Sequence, residues 1–214
     1  MLNFERVIVL APHTDDGEFG CGGTLARLVE NGSTVYYAAF SICEDSVPAG
    51  FARDILATEV REAIQVLGLH PGHLLVYRYP VRRLPQHRQE ILEELVRLRR
   101  EIEPDLVLLP SADDIHQDHQ TVSQEGQRAF KHTSILGYEM PWNTLSFTAA
   151  AFVHLEARHI DKKVGALEKY RSQQHRNYAA RDLMRSLARV RGLQAGVEYA
   201  EAFQVIRWMI PCPK

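Results

Sequence analysis

Two short, uninterrupted apolar runs constrain the fold of this chain more than any other feature. The first covers residues 6–11 and is closed by Pro12, the second covers residues 105–109 and is closed by Pro110, and each is apolar after a charged first residue. Runs of this length that end at a proline are typical of strands buried on both faces. Such strands occur in parallel sheets whose two faces are covered by helices. The two runs therefore predict a parallel sheet at the centre of the protein.

The rest of the chain alternates between amphipathic helical stripes and further short apolar runs. We predict strands at residues 6–11, 34–41, 74–79, 105–109, 135–140, 149–154 and 203–209. We predict helices at residues 24–31, 51–67, 86–103, 119–131, 158–174 and 179–192. Residues 13–23 are polar and glycine-rich and are predicted to form a loop. The alternation predicts an α/β fold, a three-layer, Rossmann-like, mostly parallel sheet flanked by helices. With no linker or repeat in view, residues 1–214 are assigned to one domain.

Composition and charge argue against several classes of function. The formal net charge of −2 is too near neutral for binding to nucleic acid or an anionic membrane through bulk charge. No stretch approaches the roughly 18 consecutive apolar residues of a membrane span. The three cysteines, Cys21, Cys43 and Cys212, show no disulfide or metal-knuckle spacing and are predicted to be reduced thiols. Since the N-terminal segment also lacks signal-peptide features, we expect a cytoplasmic protein.

Polar side chains that suit a divalent metal follow both proline-closed strands. They are His13, Asp15, Asp16 and Glu18 after the first strand and Asp113, Asp114, His116, Asp118 and His119 after the second. Ligands of open parallel sheets bind beyond the carboxyl ends of the strands, where two such loops meet. Two histidines and one aspartate suit a zinc-type ion with an open position, and the other residues can serve as base and acid. Each loop in isolation is more typical of helix capping, but the pair favours a catalytic metal site.

The residues around these loops resemble a known family. The stretch Ala11-Pro12-His13-Thr14-Asp15-Asp16, with residues 20–25, is similar to the signature loop of the LmbE/PIG-L family of zinc deacetylases. Residues 114–119 are similar to that family's HxDH motif. Further matching stretches lie at residues 61–63, 170–173 and 198–203, so the resemblance covers nearly the whole chain. One departure is Thr14, which stands where the family more often has proline.

The resemblance implies a role for each residue of the two motifs. The implied zinc ligands are His13, Asp16 and His119. Asp15 would be the general base, and His116 would be the general acid or would stabilise the oxyanion. Asp118 would orient a catalytic histidine. In the mechanism that follows, zinc lowers the pKa of a water and Asp15 takes its proton. A protonated His116 stabilises the oxyanion, and Asp118 holds His116 in its working tautomer and raises its pKa.

The function that these features predict is removal of an N-acetyl group from an amino sugar or its conjugate. The reaction would use one Zn²⁺ per subunit and release acetate. A non-catalytic sugar- or nucleotide-binding module and a hydrolase of another small amide remain alternatives. We expect a small amino-sugar substrate and neither a nucleic-acid nor a membrane partner. By resemblance, we also expect a homo-oligomer.

Other candidate residues have plainer explanations. Residues 20–23 are glycine-rich and follow a strand, but Leu25 stands where a dinucleotide-binding fingerprint needs glycine. The glycines are therefore predicted to serve tight turns and close packing. Trp142 is a candidate for lining a substrate cleft, where its ring would stack on a sugar, or for a core position. Glu18 is equally compatible with a helix-entry position and with an electrostatic role beside the site.

Overall fold

The structure is a computed structural model that describes residues 4–176 and 181–210, and for residue 181 only the backbone. Its strands are β1 (Arg6–His13), β2 (Thr34–Ser41), β3 (Leu74–Val76), β4 (Leu106–Pro110), β5 (Ser134–Tyr138), β6 (Ala151–Leu155) and β7 (Tyr199–Arg207). Its helices are α1 (Asp16–Glu30), α2 (Ile55–Leu67), α3 (Arg88–Ile102), α4 (Gln117–Ala129), α5 (Ala157–Leu167) and α6 (Arg181–Ala195). Within the described ranges, no helix has the length and apolarity needed to span a membrane. The prediction for Cys212 and the first two residues of the predicted last helix fall outside these ranges.

All seven strands form one sheet in the order β3-β2-β1-β4-β5-β7-β6. The first five strands in this order are parallel, and β7 pairs antiparallel with both β5 and β6. Val7 of β1 lies opposite Val35 of β2 on one side and Leu106 of β4 on the other. The predicted α/β fold with a mostly parallel sheet is thus confirmed. The assignment of the whole chain to one domain stays a prediction.

Helices cover both faces of the sheet, which explains the uninterrupted apolar runs. Along β1, Val7 and Val9 face a core built with α1, α2, α5 and α6. The intervening Ile8 and Leu10 face a second core, built with α3 and α4. Because successive side chains of a strand point to opposite faces, a strand between two helical layers must be apolar at every position.

The site lies at the point where the direction of the sheet connections reverses. β1 is at the centre of the sheet, with β2 beside it on one side and β4 on the other. The chain leaves the carboxyl ends of β1 and β4 into α1 and α4, respectively. The segments that follow these two strands are therefore neighbours, as the general rule for open α/β sheets predicts.

The structure corrects the prediction that residues 13–23 form a loop. α1 begins at Asp16 and includes the glycine-rich stretch, with a local departure from helical geometry at Cys21. A Cβ atom on Gly20 would lie within 2.9 Å of three ring atoms of Tyr138, and one on Gly23 would lie 2.6 Å from Leu155. These glycines therefore let the helix approach the sheet closely. Close packing was one of the two roles predicted for them, and tight turns were the other.

In the second half of the chain, the largest difference from a predicted boundary is at the end of α5. The helix predicted at residues 158–174 ends at Leu167, and a short 3-10 turn follows at Arg171–Gln173. The break matters for function because the residues of this turn and those just after it reach the candidate site.

Candidate active site

The first part of the site is the junction between β1 and α1. His13 is the last residue of β1, and Asp16 is the first residue of α1. The backbone N–H of His13 donates a hydrogen bond of 2.8 Å to Asp16 Oδ2. Asp15 occupies the N-cap position of α1, but its side chain makes no capping hydrogen bond. The helix-capping explanation of this loop therefore fails for Asp15, whose carboxylate instead lines a cavity.

The second part of the site is the start of α4. His116 is the N-cap residue of this helix, and its Nδ1 accepts a hydrogen bond of 3.2 Å from the backbone N–H of Asp118. A helix cap therefore fixes the His116 ring. Because Nδ1 accepts, the neutral ring carries its proton on Nε2. His119 lies one turn into the helix and is almost fully buried, with 2% of its surface exposed.

Three potential metal-ligand atoms converge between the two parts. His13 Nδ1 lies 3.1 Å from Asp16 Oδ2, and His119 Nε2 lies 3.2 Å from the same oxygen. The two imidazole nitrogens are 3.3 Å apart. Ligand atoms about 2.0–2.1 Å from a tetrahedral ion lie roughly 3.4 Å from one another, so the spacing fits one divalent metal. One nitrogen from each of His13, His116 and His119 also lies within 4.8 Å of the other two. These three nitrogens are a second possible ligand set, with larger separations than the set that includes Asp16.

Carboxylates hold the far side of both imidazoles. His13 Nε2 lies 3.0 Å from Asp118 Oδ2, and His119 Nδ1 lies 2.7 Å from Asp114 Oδ2. A carboxylate behind each imidazole fixes the ring orientation and leaves the opposite nitrogen available as a ligand, an arrangement typical of metal sites. This arrangement favours the set with Asp16 over the set with His116.

The structure corrects the expected partner of Asp118. Its carboxylate contacts His13 and accepts hydrogen bonds from the backbone N–H groups of Arg82 and Leu84, at 2.6 and 3.1 Å. It therefore orients a histidine of the other loop, and only its backbone N–H reaches His116. Burial and the charges of His13 and His119 lower the pKa of His116 to about 4. Asp118 raises this pKa, as expected, but does not outweigh them.

The remaining pKa values describe a site that attracts positive charge. Burial lowers the pKa of His13, but Asp16 and Asp118 outweigh it and raise the value to about 9. Burial likewise lowers the pKa of His119, and Asp16 and Asp114 raise it to about 10. Burial opposes ionisation of Asp16, yet the two histidines hold its pKa well below the usual range. A bound cation competes with protons for such groups.

Asp15 differs from its neighbour in both position and pKa. Burial and the charge of Asp16 raise the pKa of Asp15 to about 6, and Arg176 acts in the opposite direction. Asp15 lines the same cavity as His13, Asp16 and His119. A carboxylate with a pKa near neutrality can exchange a proton at physiological pH.

A cavity of about 380 Å³ opens over these groups. Its volume lies within the range of about 300–1,000 Å³ typical of small-molecule sites. Trp142 lines it, as one of the two sequence-based interpretations proposed, and its ring packs edge to face against Phe19. Sequence reasoning missed the other polar residues of the wall, because they lie outside the two motifs. These are Ser46, Arg82, Asn143, Gln173 and Arg176.

Sequence reasoning also gave no role to Asp114. This residue opens the quoted stretch that ends at His119, five positions later. Its other carboxylate oxygen accepts a hydrogen bond of 2.8 Å from the backbone N–H of His116. The spacing within the motif was visible, but nothing in it showed which carboxylate would reach which ring.

A buried polar cluster lies beneath the first loop. The hydroxyl groups of Tyr37 and Tyr170 lie 2.8 and 2.7 Å from the carbonyl oxygen of Thr14, and both also contact the carboxyl group of Glu18. Glu18 is fully buried, and this burial raises its pKa to about 8. Glu18 lies in the first turn of α1, as the helix-entry interpretation expects, and its buried carboxyl group also supports the loop through the two tyrosines. Thr14, in the position where proline was expected, is itself fully buried.

The two described cysteines are free thiols and both are buried. Cys21 lies within α1, has no exposed surface and packs in the core. Cys43 lines the cavity and has a left-handed backbone. At the surface near Cys43, Arg53 forms an ion pair with Asp45.

Comparison with known proteins identifies the family. The family model PIG-L, described as GlcNAc-PI de-N-acetylase, matches residues 8–130, more than half of the chain. The Escherichia coli K12 protein YaiS, named an uncharacterized deacetylase, is 30% identical over 170 residues, which cover 78% of this chain and 90% of that protein.

Two further similarities extend this result. A diacetylchitobiose deacetylase from Thermococcus kodakarensis is 28% identical over 141 residues, covering 63% of this chain but 48% of that protein. The crystal structure of the conserved protein TT1542 from Thermus thermophilus is 27% identical and superposes with a TM-score of 0.78, covering 98% of each chain. The chain therefore belongs to the PIG-L family of de-N-acetylases, hydrolases that cleave an amide bond.

Proposed function

We propose that this protein is a zinc-dependent deacetylase that removes the N-acetyl group of an amino sugar or an amino-sugar conjugate. The observation that carries the proposal is the triple of ligand atoms 3.1–3.3 Å apart, with the Asp15 carboxylate beside it in the same cavity. A non-catalytic binding module needs no proton acceptor next to a metal site. Family membership and the similarity to a diacetylchitobiose deacetylase support the reaction and the carbohydrate substrate.

In this proposal, His13, Asp16 and His119 hold the metal. Two imidazole nitrogens and one carboxylate oxygen are a donor set that zinc accepts while it keeps a position open. When bound, the ion supplies Lewis acidity, which polarises an amide carbonyl and acidifies water. Asp114 and Asp118 keep the two imidazoles oriented, and they act as positioning residues only.

The chemical steps then divide between Asp15 and His116. Asp15 accepts a proton from the water that attacks the acetyl carbonyl carbon. His116 donates a hydrogen bond from Nε2 to the oxygen that becomes negative in the tetrahedral intermediate. Asp15 returns its proton to the sugar nitrogen as the carbon–nitrogen bond breaks. The products are acetate and the free amine, so one water is consumed and no further reactant is needed.

The cavity walls suit a sugar ring in this position. Trp142 and Phe19 offer an aromatic surface on which an apolar sugar face can pack. Asn143 and Gln173 offer side-chain amides that can both donate and accept hydrogen bonds with hydroxyl groups. Such a mixture of aromatic and amide groups suits a neutral polyol ring better than an extended hydrocarbon.

The test is acetate release from a panel of N-acetyl amino sugars, followed by mass spectrometry. We expect loss of the acetyl mass, inhibition by a chelator and recovery when zinc is restored. The Asp15→Asn variant, with its metal content measured, is the matched control for contaminating activity. Sugar binding without acetate release by the metal-loaded protein would support the binding-module alternative. Cleavage of N-formyl or other small amides in preference to N-acetyl sugars would support the alternative of another amide hydrolase.

Two predictions from the sequence concern the protein as a whole. A homo-oligomer is expected by resemblance to the family, and light scattering on the purified protein measures it directly. A cytoplasmic location is expected from the cysteine content and is checked by fractionation of the source cells.

A further inference from the structure

We propose, on the basis of the proposed function, that the substrate carries an anionic group, a phosphate or a carboxylate, which Arg82 and Arg176 bind. Both arginines line the cavity that contains the candidate metal ligands. Among the described residues that line the cavity, the carboxylates are Asp15 and Asp16. Asp16 is a proposed metal ligand, and Asp15 is its neighbour in the sequence. The rest of the cavity wall therefore carries net positive charge, which these two side chains supply.

The backbone of Arg82 is held in an unusual conformation. Its φ of 66° lies in the left-handed region, which favours glycine and costs other residues of order 1 kcal/mol. Three described non-glycine residues have such a backbone, and two of them, Cys43 and Arg82, line the cavity. A glycine at position 82 would relieve the strain and could still donate the backbone hydrogen bond that Asp118 accepts. The backbone requirement therefore does not explain an arginine, whereas a role for its side chain does.

The surroundings of Arg82 also separate it from nearby arginines. Arg78 forms ion pairs with Glu44 and Asp54, and Arg88 pairs with Glu125. Over residues 4–176 and 181–210, the Arg82 guanidinium has no such carboxylate partner. An unpaired guanidinium at the edge of a cavity can form charge-assisted, bidentate hydrogen bonds with a phosphate or carboxylate.

Arg176 approaches the cavity from a different element. It follows the 3-10 turn at Arg171–Gln173, and Gln173 lines the same cavity. Arg82 follows β3, so the two guanidinium groups come from separate segments of the chain. Two separate segments that each direct an arginine to one cavity favour recognition of an anion over a chance surface position.

The experiment compares three N-acetyl amino sugars: uncharged N-acetylglucosamine, its 1-phosphate, and N-acetylmuramic acid, which carries a carboxylate. The kcat/KM of the wild type should be higher for at least one anionic sugar than for the neutral one, by about 10- to 100-fold. Arg82→Gln and Arg176→Gln should each reduce that preference by about tenfold, and Arg82→Lys should retain more of it. Arg83→Gln is the matched control, because Arg83 is an exposed neighbour that does not line the cavity.

Binding of the same sugars to metal-free Asp15→Asn protein, measured by calorimetry, separates this inference from the proposed function. A phosphate can coordinate a metal directly, and metal removal eliminates that contribution. Anionic sugars should bind more tightly than the neutral sugar, and Arg82→Gln should remove the difference. Equal binding of all three, or a preference that Arg82→Gln and Arg176→Gln leave unchanged, would overturn the inference even if acetate is released. Selective binding without acetate release by the metal-loaded wild type would support the inference and count against the deacetylase proposal.

Discussion

The segments after β1 and β4 both bring histidines and aspartates to the site, but they are built differently. In the β1 segment, the buried hydroxyl groups of Tyr37 and Tyr170 donate hydrogen bonds to the carbonyl oxygen of Thr14. In the β4 segment, the His116 side chain caps α4. The Asp114 carboxylate accepts a hydrogen bond from the backbone N–H of His116 and contacts the ring of His119. The first therefore depends on hydroxyl groups of the core, whereas the second combines hydrogen bonds of its own with others from Gln204 and from the backbone of residues 82 and 84.

The two segments also differ in which proposed ligands and which orienting carboxylates they contain. The β1 segment contains two of the proposed ligands and the proposed base, but no carboxylate behind an imidazole. The β4 segment contains the third proposed ligand and both carboxylates that lie behind an imidazole, and Asp118 contacts His13 of the β1 segment. The β1 half of the metal site is therefore incomplete without the β4 half. Substitutions in each segment can test this dependence.

The largest expected effect is loss of the metal from the Asp16→Ala variant. Removal of the carboxylate leaves two of the three proposed ligands, so metal content should fall well below stoichiometric and turnover should fall to background. His116→Ala is the matched variant from the β4 segment. It should retain the metal and lose about 10²–10³ in kcat, as expected for loss of one donor to the oxyanion. Mass spectrometric metal analysis of both purified proteins measures the contrast.

The opposite pattern would assign the site differently. Full metal content in Asp16→Ala together with loss of metal in His116→Ala would favour the three-histidine set of His13, His116 and His119. The proposed ligand triple would then be wrong.

The second effect in size concerns the base. Asp15→Ala should retain the metal and reduce kcat by about 10²–10⁴, the usual size of a general-base contribution. The side chain makes no capping hydrogen bond, so α1 should remain intact, which circular dichroism measures. Wild-type turnover in this variant would remove Asp15 from the mechanism.

A smaller effect should follow from the orienting carboxylates. Asp118→Asn and Asp114→Asn should each weaken metal binding by about 10- to 100-fold, as is typical for groups behind a ligating histidine. Asp113→Asn is the control, since Asp113 lies in the same segment but accepts a hydrogen bond from Gln204 at the surface. Competition with a chelator of known affinity measures all three. An unchanged affinity in Asp118→Asn would show that the β1 half does not depend on the β4 half.

Much of the fold could be predicted because its determinants are local. The apolar runs before Pro12 and Pro110 specify strands covered on both faces, and their positions specify which loops meet at the edge of the sheet. The same rule predicts that the two sets of potential metal ligands lie together. Local patterns therefore identified both the sheet and the place of the site.

What could not be predicted depends on contacts between residues far apart in the sequence. The stretch at residues 16–23 has the composition of a loop, but it is part of α1, and its glycines allow this helix to pack closely against Tyr138 and Leu155. Asp118 is two residues from His116 but contacts His13, which is 105 residues away. The spacing within the motif does not show which of these two histidines the Asp118 carboxylate contacts. The cavity-lining arginines lie in segments without any motif, so only coordinates bring them to the site.

The smallest effect we predict is on stability, at the glycine that lets the β1 segment approach the sheet. Gly20→Ala would place a methyl group within 2.9 Å of the Tyr138 ring, which is fully buried and hydrogen-bonded through its hydroxyl to the Leu10 carbonyl. The ring cannot move aside freely, so the substitution should lower the free energy of unfolding by about 1–3 kcal/mol. Gly165→Ala in α5 is the matched control, because its nearest contact would be Val66 at 3.4 Å. There the higher helix propensity of alanine should raise stability by up to about 1 kcal/mol. Urea unfolding measures both, and equal effects would mean that the glycine at position 20 is not required for close packing.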